Sequence, residues 1–275
     1  MRKTILLLMI TGCFIQPACS GEETELVNEE NQEELRFSDD FDFFNENVWT
    51  KETHEPGWVN QELQAYHPSK VSIGKDMGKS VLILTAERMG DKISSGRVNS
   101  QGKFNFKYGR IEASIMLPKT ANGLWPAFWL MGDNGKNWPA CGEIDILEMG
   151  EKQGVINGTS ETLVNTAIHY GTDYASHRQE YYAANFAYSL QDGEYHTYTL
   201  DWSENSLVVS IDQRVFKTFD ISKVSGRHEY FQDSCFILLN LAVGGAFPGI
   251  LEADELSALK DGEKAYMYID WIKVY

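Results

Sequence analysis

The densest run of residues capable of chemistry is Trp138-Pro139-Ala140-Cys141-Gly142-Glu143-Ile144-Asp145-Ile146-Leu147-Glu148-Met149. On an extended strand alternate side chains share a face, so Glu143 and Asp145 point one way and Ile144 and Ile146 the other. Strict alternation would set Leu147 beside the acids and drive Glu148 into the apolar face. A β-bulge at Ile146-Leu147 inserts one extra residue and returns Glu148 to the acidic side. The expected result is three carboxylates in a row on one face. A composition of 40 acids in 275 residues yields about 0.8 such triples by chance, so the spacing alone decides nothing. The surroundings are more informative: Trp125, Phe128, Trp129 and Trp138 flank the acids, and a solvated strand has no need of large rings. Flat apolar rings stack on pyranose faces, and glycosidic cleavage needs a carboxylic acid paired with a carboxylate.

The elements that must hold such a row are strands. Val81 to Leu84 is a short apolar run, and Ile111, Ala113, Ile115 and Leu117 alternate with Glu112, Ser114 and Met116. Tyr195 to Trp202 and Leu207 to Asp212 flank Ser203-Glu204-Asn205-Ser206, which reads as a hairpin. Phe236 to Val243 is continuously apolar until Gly244-Gly245, and Tyr266 to Tyr275 closes the chain. No long helical period occurs, and Glu252 to Leu259 has room for two turns at most. Residues 36–275 carry no linker or repeat, a length that one domain occupies. The expected class is all-β, with two antiparallel sheets packed face to face.

Charge narrows the partners. Lys plus Arg number 24 against 40 Asp plus Glu, a net of −16, which argues against nucleic acid because phosphate backbones need a basic footprint. Residues 20–35 contain seven of those acids and no Lys or Arg, and read as a solvated tether. Beyond it, 22 basic and 33 acidic residues leave −11.

Arg2 and Lys3 followed by the apolar run Ile5 to Ile10 have the form of an export signal over residues 1–19, too short to span a membrane. Cys13 and Cys19 each follow a small residue, a placement that resembles a bacterial lipoprotein signal. Cys19 gives a signal of normal length and directly precedes the tether, whereas Cys13 sits in the better motif. Lipidation at either would anchor the protein at the bacterial outer membrane or cell surface, and an ordinary signal would release it. Two further cysteines, Cys141 and Cys235, do not make a disulfide framework and read as buried thiols, with a single bridge as the other option.

Six blocks together carry a resemblance. They are Asn60-Gln61-Glu62-Leu63-Gln64-Ala65-Tyr66, Ser95-Gly96-Arg97, Tyr108-Gly109-Arg110-Ile111-Glu112-Ala113, Leu124-Trp125-Pro126-Ala127-Phe128-Trp129-Leu130, the Trp138 to Glu148 segment, and Leu239-Asn240-Leu241-Ala242-Val243-Gly244-Gly245. They resemble glycoside hydrolase family 16, and within it the laminarinase-like β-glucanases with a bulged Glu-x-Asp-x-x-Glu. The resemblance implies a jelly-roll β-sandwich with a glycan cleft across its concave sheet, and endo-hydrolysis with retention of configuration.

By position, the resemblance makes Glu143 the nucleophile, Glu148 the general acid/base, and Asp145 and His169 auxiliaries beside them. A nucleophile must be ionised while the acid holds a proton, and a field from Glu143 and Asp145 is expected to raise the pKa of Glu148. Trp125, Trp129 and Trp138 become sugar platforms, and Asn60, Glu62 and Arg97 become hydroxyl-binding groups. Catalysis needs no cofactor. A structural calcium, held by Asp40, the Gly78 carbonyl and Asp270, is the one ion that the resemblance suggests, and oxygen donors suit it.

The acidic balance fits a neutral polysaccharide, either mixed-linkage β-1,3/1,4-glucan or laminarin, acted on by a monomer. Ala246-Phe247-Pro248 and Phe231-Gln232-Asp233-Ser234 depart from the laminarinase pattern and leave the choice between the two glucans open. Relatives that cut a galactan such as agarose are one alternative. A non-catalytic glycan-binding module is another, although it would have no use for Glu143 and Glu148.

Overall fold

The computed structural model describes residues 34–275. The export-type segment 1–19, with Cys13 and Cys19, and all of the acidic stretch before Glu34 lie outside the described residues. Near the start of the described residues Arg36 donates its backbone N–H to the Val274 carbonyl at 2.8 Å, in the C-terminal strand.

The described residues form two sheets, one of ten strands and one of seven. Pairing is antiparallel except where Ala65–Tyr66 runs parallel to Lys92–Ser95. Strands distant in sequence lie side by side. Lys264–Val274 sits between Gly109–Met116 and Lys79–Met89 in the larger sheet, and Leu124–Gly132 sits between Glu143–Met149 and Cys235–Val243 in the smaller. This interleaving of two largely antiparallel sheets is the jelly-roll sandwich expected from the sequence.

Alternation of side chains builds the core. Leu82, Leu84, Ile111, Ile115, Leu200, Val209 and Ile269 from the larger sheet meet Phe128, Leu130, Ile144, Ile168, Ile237 and Leu239 from the smaller, all with 0% exposure. Each fully buried side chain of this size contributes about 1.5–3 kcal/mol relative to exposure. Ser203 and Ser206 bond to each other and close the expected hairpin between His196–Trp202 and Ser206–Ile211.

Helix is scarce. Glu252 to Leu259 contributes a single 3-10 turn, Ala253–Glu255. The α-helix found among the described residues, Lys152–Asn157, was not legible in the sequence. It stops at Gly158, whose φ of 67° suits glycine. Cys141 and Cys235 are both free and buried. Burial, followed by the nearby Glu143, pushes the Cys141 thiol up to about 11, so it stays protonated and inert.

Candidate active site

The Glu143–Met149 strand lies between Leu124–Gly132 and Leu163–Tyr170. Asp145 stands opposite Trp129 on one neighbour and Ala167 on the other, and the register then slips so that Glu148 faces Ala127 and Asn165. The slip is the expected bulge. Ile146 and Leu147, adjacent in sequence, both bury completely, and the face resumes at Glu148. Two consecutive apolar side chains can enter the core only if the strand adds a residue there, so the apolar pattern itself forces the acids into line. The Thr166 hydroxyl donates to the Asp145 carbonyl at 2.5 Å and steadies the irregular backbone.

Each glutamate is held by an indole. Trp138 Nε1 donates to Glu143 Oε2 at 3.1 Å, and Trp125 Nε1 donates to Glu148 Oε1 at 3.0 Å. His169, in register with Glu143, places Nε2 3.2 Å from Asp145 Oδ2 and 3.8 Å from Glu143 Oε1. The structure thus brings Glu143, Asp145, Glu148, His169, Trp125 and Trp138 to one patch of the smaller sheet.

Burial raises all three carboxyls above the usual carboxylate range. For Glu143 and Glu148 the next cause is the charge of Asp145. A positive His169 and the two indole donors pull both back. Glu151 adds to the upward push on Glu148, while the repulsion between Glu143 and Glu148 falls on Glu143. The sequence reading named Glu143 rather than Glu151 as the second acid acting on Glu148. One buried and two partly buried acids this close share fewer than three negative charges, which is the condition for one acid and one nucleophile to coexist.

The remaining residues named from sequence divide. Trp129, opposite Asp145, donates Nε1 to Asn240 Oδ1 at 2.7 Å, and the Arg97 guanidinium lies 4.9 Å from its ring centre. Arg97 is buried, paired with Glu52 at 3.0 Å, and also lies 5.3 Å from the ring of Trp58. Glu62 is engaged internally, accepting from Asn60 at 3.3 Å, Gln64 at 2.6 Å and Tyr66 at 3.1 Å. It ties down the Asn60 loop, which packs so tightly on Gly245 that a Cβ there would lie 2.9 Å from the Asn60 carbonyl oxygen. Phe128, grouped with the flanking aromatics in the sequence, faces the core with 0% exposure.

Several participants were missed. Asn240 is a lone polar residue inside the fully buried run Cys235–Val243, and that isolation was the available signal. Phe247 stacks on Trp125 with ring centres 4.7 Å apart, so the departure at Ala246-Phe247-Pro248 supplies a ring beside the site. Tyr174 and His177 flank Trp138 at 5.6 Å and 4.6 Å, and no spacing in the sequence pointed to them.

Of the residues assigned to calcium, Asp270 is already paired. Asp270 is 8% exposed and pairs with Lys79 Nζ at 2.5 Å, next to Gly78. An ammonium therefore already answers the carboxylate that a metal ion would need, and Asp40 is exposed. As arranged, this donor set does not fit a divalent cation, which wants several converging oxygens and no competing charge.

The GH16 protein of the Bacteroides ovatus mixed linkage glucan PUL, solved in complex with a G4G4G3G product, is 66% identical, with a TM-score of 0.85, and the match covers 87% of this chain and 99% of that one. The laminarinase catalytic domain of Thermotoga maritima is 28% identical with a TM-score of 0.71, covering 88% of this chain and 97% of that one. The Clotting factor G alpha subunit of Tachypleus tridentatus is 31% identical over 80% of this chain, which spans only 30% of that relative's length. The family model for glycosyl hydrolases family 16 matches residues 60–273, from the Asn60 loop to the penultimate residue of the C-terminal strand Lys264–Val274. The chain belongs to glycosyl hydrolases family 16.

Proposed function

We propose that the protein is a retaining endo-β-glucanase that cleaves mixed-linkage β-1,3/1,4-glucan, laminarin, or both, by double displacement. The observation that carries this reading is the bulged strand, which sets Glu143 and Glu148 on one face with Asp145 between them and an indole donor on each glutamate. The 66% identical protein solved with a product, from a mixed linkage glucan PUL, favours mixed-linkage glucan as the first substrate to try.

In the first step Glu148 gives its proton to the leaving glycosidic oxygen while the Glu143 carboxylate attacks the anomeric carbon from the opposite face. The charge on Glu143 is supported by the Trp138 N–H and by His169, whose Nε2 lies 3.8 Å from Glu143 Oε1. Once the glycosyl ester forms, Glu143 is neutral and one acid has left the cluster electrostatically. Glu148, its proton gone, then accepts a proton from water as that water attacks the anomeric carbon and releases Glu143. Asp145, almost fully buried between them, sustains the high proton affinity of Glu148 in the first step. Trp125, Trp129 and Trp138 offer ring faces or edges to the sugars on either side of the bond.

Product analysis on laminarin, mixed-linkage glucan, carboxymethylcellulose and agarose in parallel tests this reading. Oligosaccharides from one or both of the first two support it. Cleavage of agarose alone, or binding without cleavage of any, would replace it with the galactanase or the non-catalytic module.

The same reading includes export and anchoring through Cys19, or Cys13, so that the acidic stretch spaces a monomeric enzyme from a membrane. Among the described residues no helix is long and apolar enough to cross a membrane. Incorporation of labelled palmitate that disappears in Cys19→Ala is the expected result; no incorporation in the wild-type chain would remove the anchor.

A further inference from the structure

His177, which flanks Trp138, also touches His169 directly. The turn Tyr174–Ser176 precedes it and is fixed by a reciprocal cap. The Asp173 carboxylate accepts the Ser176 N–H at 2.8 Å, and the Ser176 hydroxyl accepts the Asp173 N–H at 3.0 Å. This rigid turn delivers the His177 ring parallel to that of His169, within 9° and with centres 5.1 Å apart. His177 Nε2 lies 2.9 Å from His169 Nδ1. The Trp138 ring covers both imidazoles, at 4.6 Å from His177 and 6.2 Å from His169, while its own N–H holds Glu143.

Two ring nitrogens at this distance share one proton: one donates and the other accepts. On its far side His169 turns Nε2 toward Asp145 Oδ2 at 3.2 Å and Glu143 Oε1 at 3.8 Å, so Nε2 is placed to carry a hydrogen toward whichever acid is ionised. If His177 offers a lone pair at Nε2, then His169 carries hydrogens on both nitrogens and is positive; if His177 donates, His169 is neutral. Burial first, and then the charge of His169, lower the pKa of His177, which favours its neutral, accepting form. The groups facing the pair are Glu143 and Asp145, with Glu148 beyond, all on the neighbouring strand. Gln179 stands opposite His169 on the other neighbour, and Trp138 and the Tyr174 phenol ring close the turn side.

We propose that His177 is a positioning residue which, by accepting the Nδ1 hydrogen of His169, holds that ring and the pair's single positive charge against Glu143 and Asp145, and so keeps the nucleophile ionised at working pH. The inference rests on the reading of Glu143 as nucleophile.

Two variants test it on mixed-linkage glucan. His177→Phe keeps a flat ring against Trp138 and removes the acceptor; His177→Gln keeps an acceptor oxygen. With unchanged circular dichroism spectra, His177→Phe is expected to lose about tenfold in kcat with KM within about twofold, and to move the acidic limb of kcat/KM upward by about one pH unit. His177→Gln is expected to recover most of both. An acidic limb unmoved in His177→Phe, or a loss carried wholly by KM, overturns the inference and leaves His177 as a sugar contact. A wild-type chain that cleaves no glucan overturns the proposed function, and this inference with it.

Discussion

Glu143 and His169 face each other across neighbouring strands, paired in register, with His169 Nε2 3.8 Å from Glu143 Oε1. The same nitrogen lies nearer still to Asp145, so one imidazole serves two buried acids whose proton affinities burial has raised. That arrangement lets an acid and a nucleophile share a few ångströms of one strand, and the expectations below follow from it.

Removing either glutamate's charge should stop the reaction. Glu143→Gln and Glu148→Gln are each expected to lower kcat on glucan by about 10⁴-fold or more, since neither covalent attack nor proton delivery has a substitute within reach. Initial-rate assays of reducing ends check this. Turnover within tenfold of the wild type in either variant removes that residue from the mechanism.

The same variants should change how stability depends on pH. The native carboxyls are raised from an ordinary 4.5 to about 8 for Glu143. A raised acid favours the fold below its unfolded value, and that contribution is lost as pH climbs toward the folded value. The melting temperature of Glu143→Gln relative to wild type should therefore rise steadily across this window and level off above it. Scanning calorimetry over a pH series checks the sign; a difference that falls with pH contradicts the cited shift.

Asn240 should behave as a support for the Trp129 platform. Asn240→Ala leaves the indole N–H without its partner and is expected to raise KM about tenfold, with kcat changed by no more than a few-fold. A loss confined to kcat would move Asn240 into the chemistry itself.

Lys79 and Asp270 lead to an expectation about metal. Because the ammonium already neutralises this buried carboxylate, an excess of chelator should leave the melting temperature within about 1 °C, whereas Lys79→Met should lower it by stranding Asp270. A fall on chelation, restored by calcium, would reinstate the ion that the sequence suggested.

Much of this site was readable before any coordinates. The bulge followed from a conflict between two rules: alternation placed Leu147 with the acids, and its burial forbade it. Strand runs such as Cys235–Val243 announced themselves by continuous apolar content. What escaped depends on how individual side chains meet once loops and strands have folded. His177 reaches His169 only because a capped turn folds back, Phe247 meets Trp125 from the far end of the chain, and Glu62 is engaged by its own loop. Composition and period carry no signal for such meetings. Nor did they reveal the Lys79–Asp270 pair, whose members are 191 residues apart.

The most direct test of the division of labour is azide rescue of Glu143→Gly on an activated β-glucoside, read by NMR of the glycosyl azide formed. With the nucleophile's volume vacated and Glu148 intact, azide should enter from the Glu143 side and give the inverted α-azide. A retained β-azide from this variant would contradict the assignment and make Glu143 the acid/base.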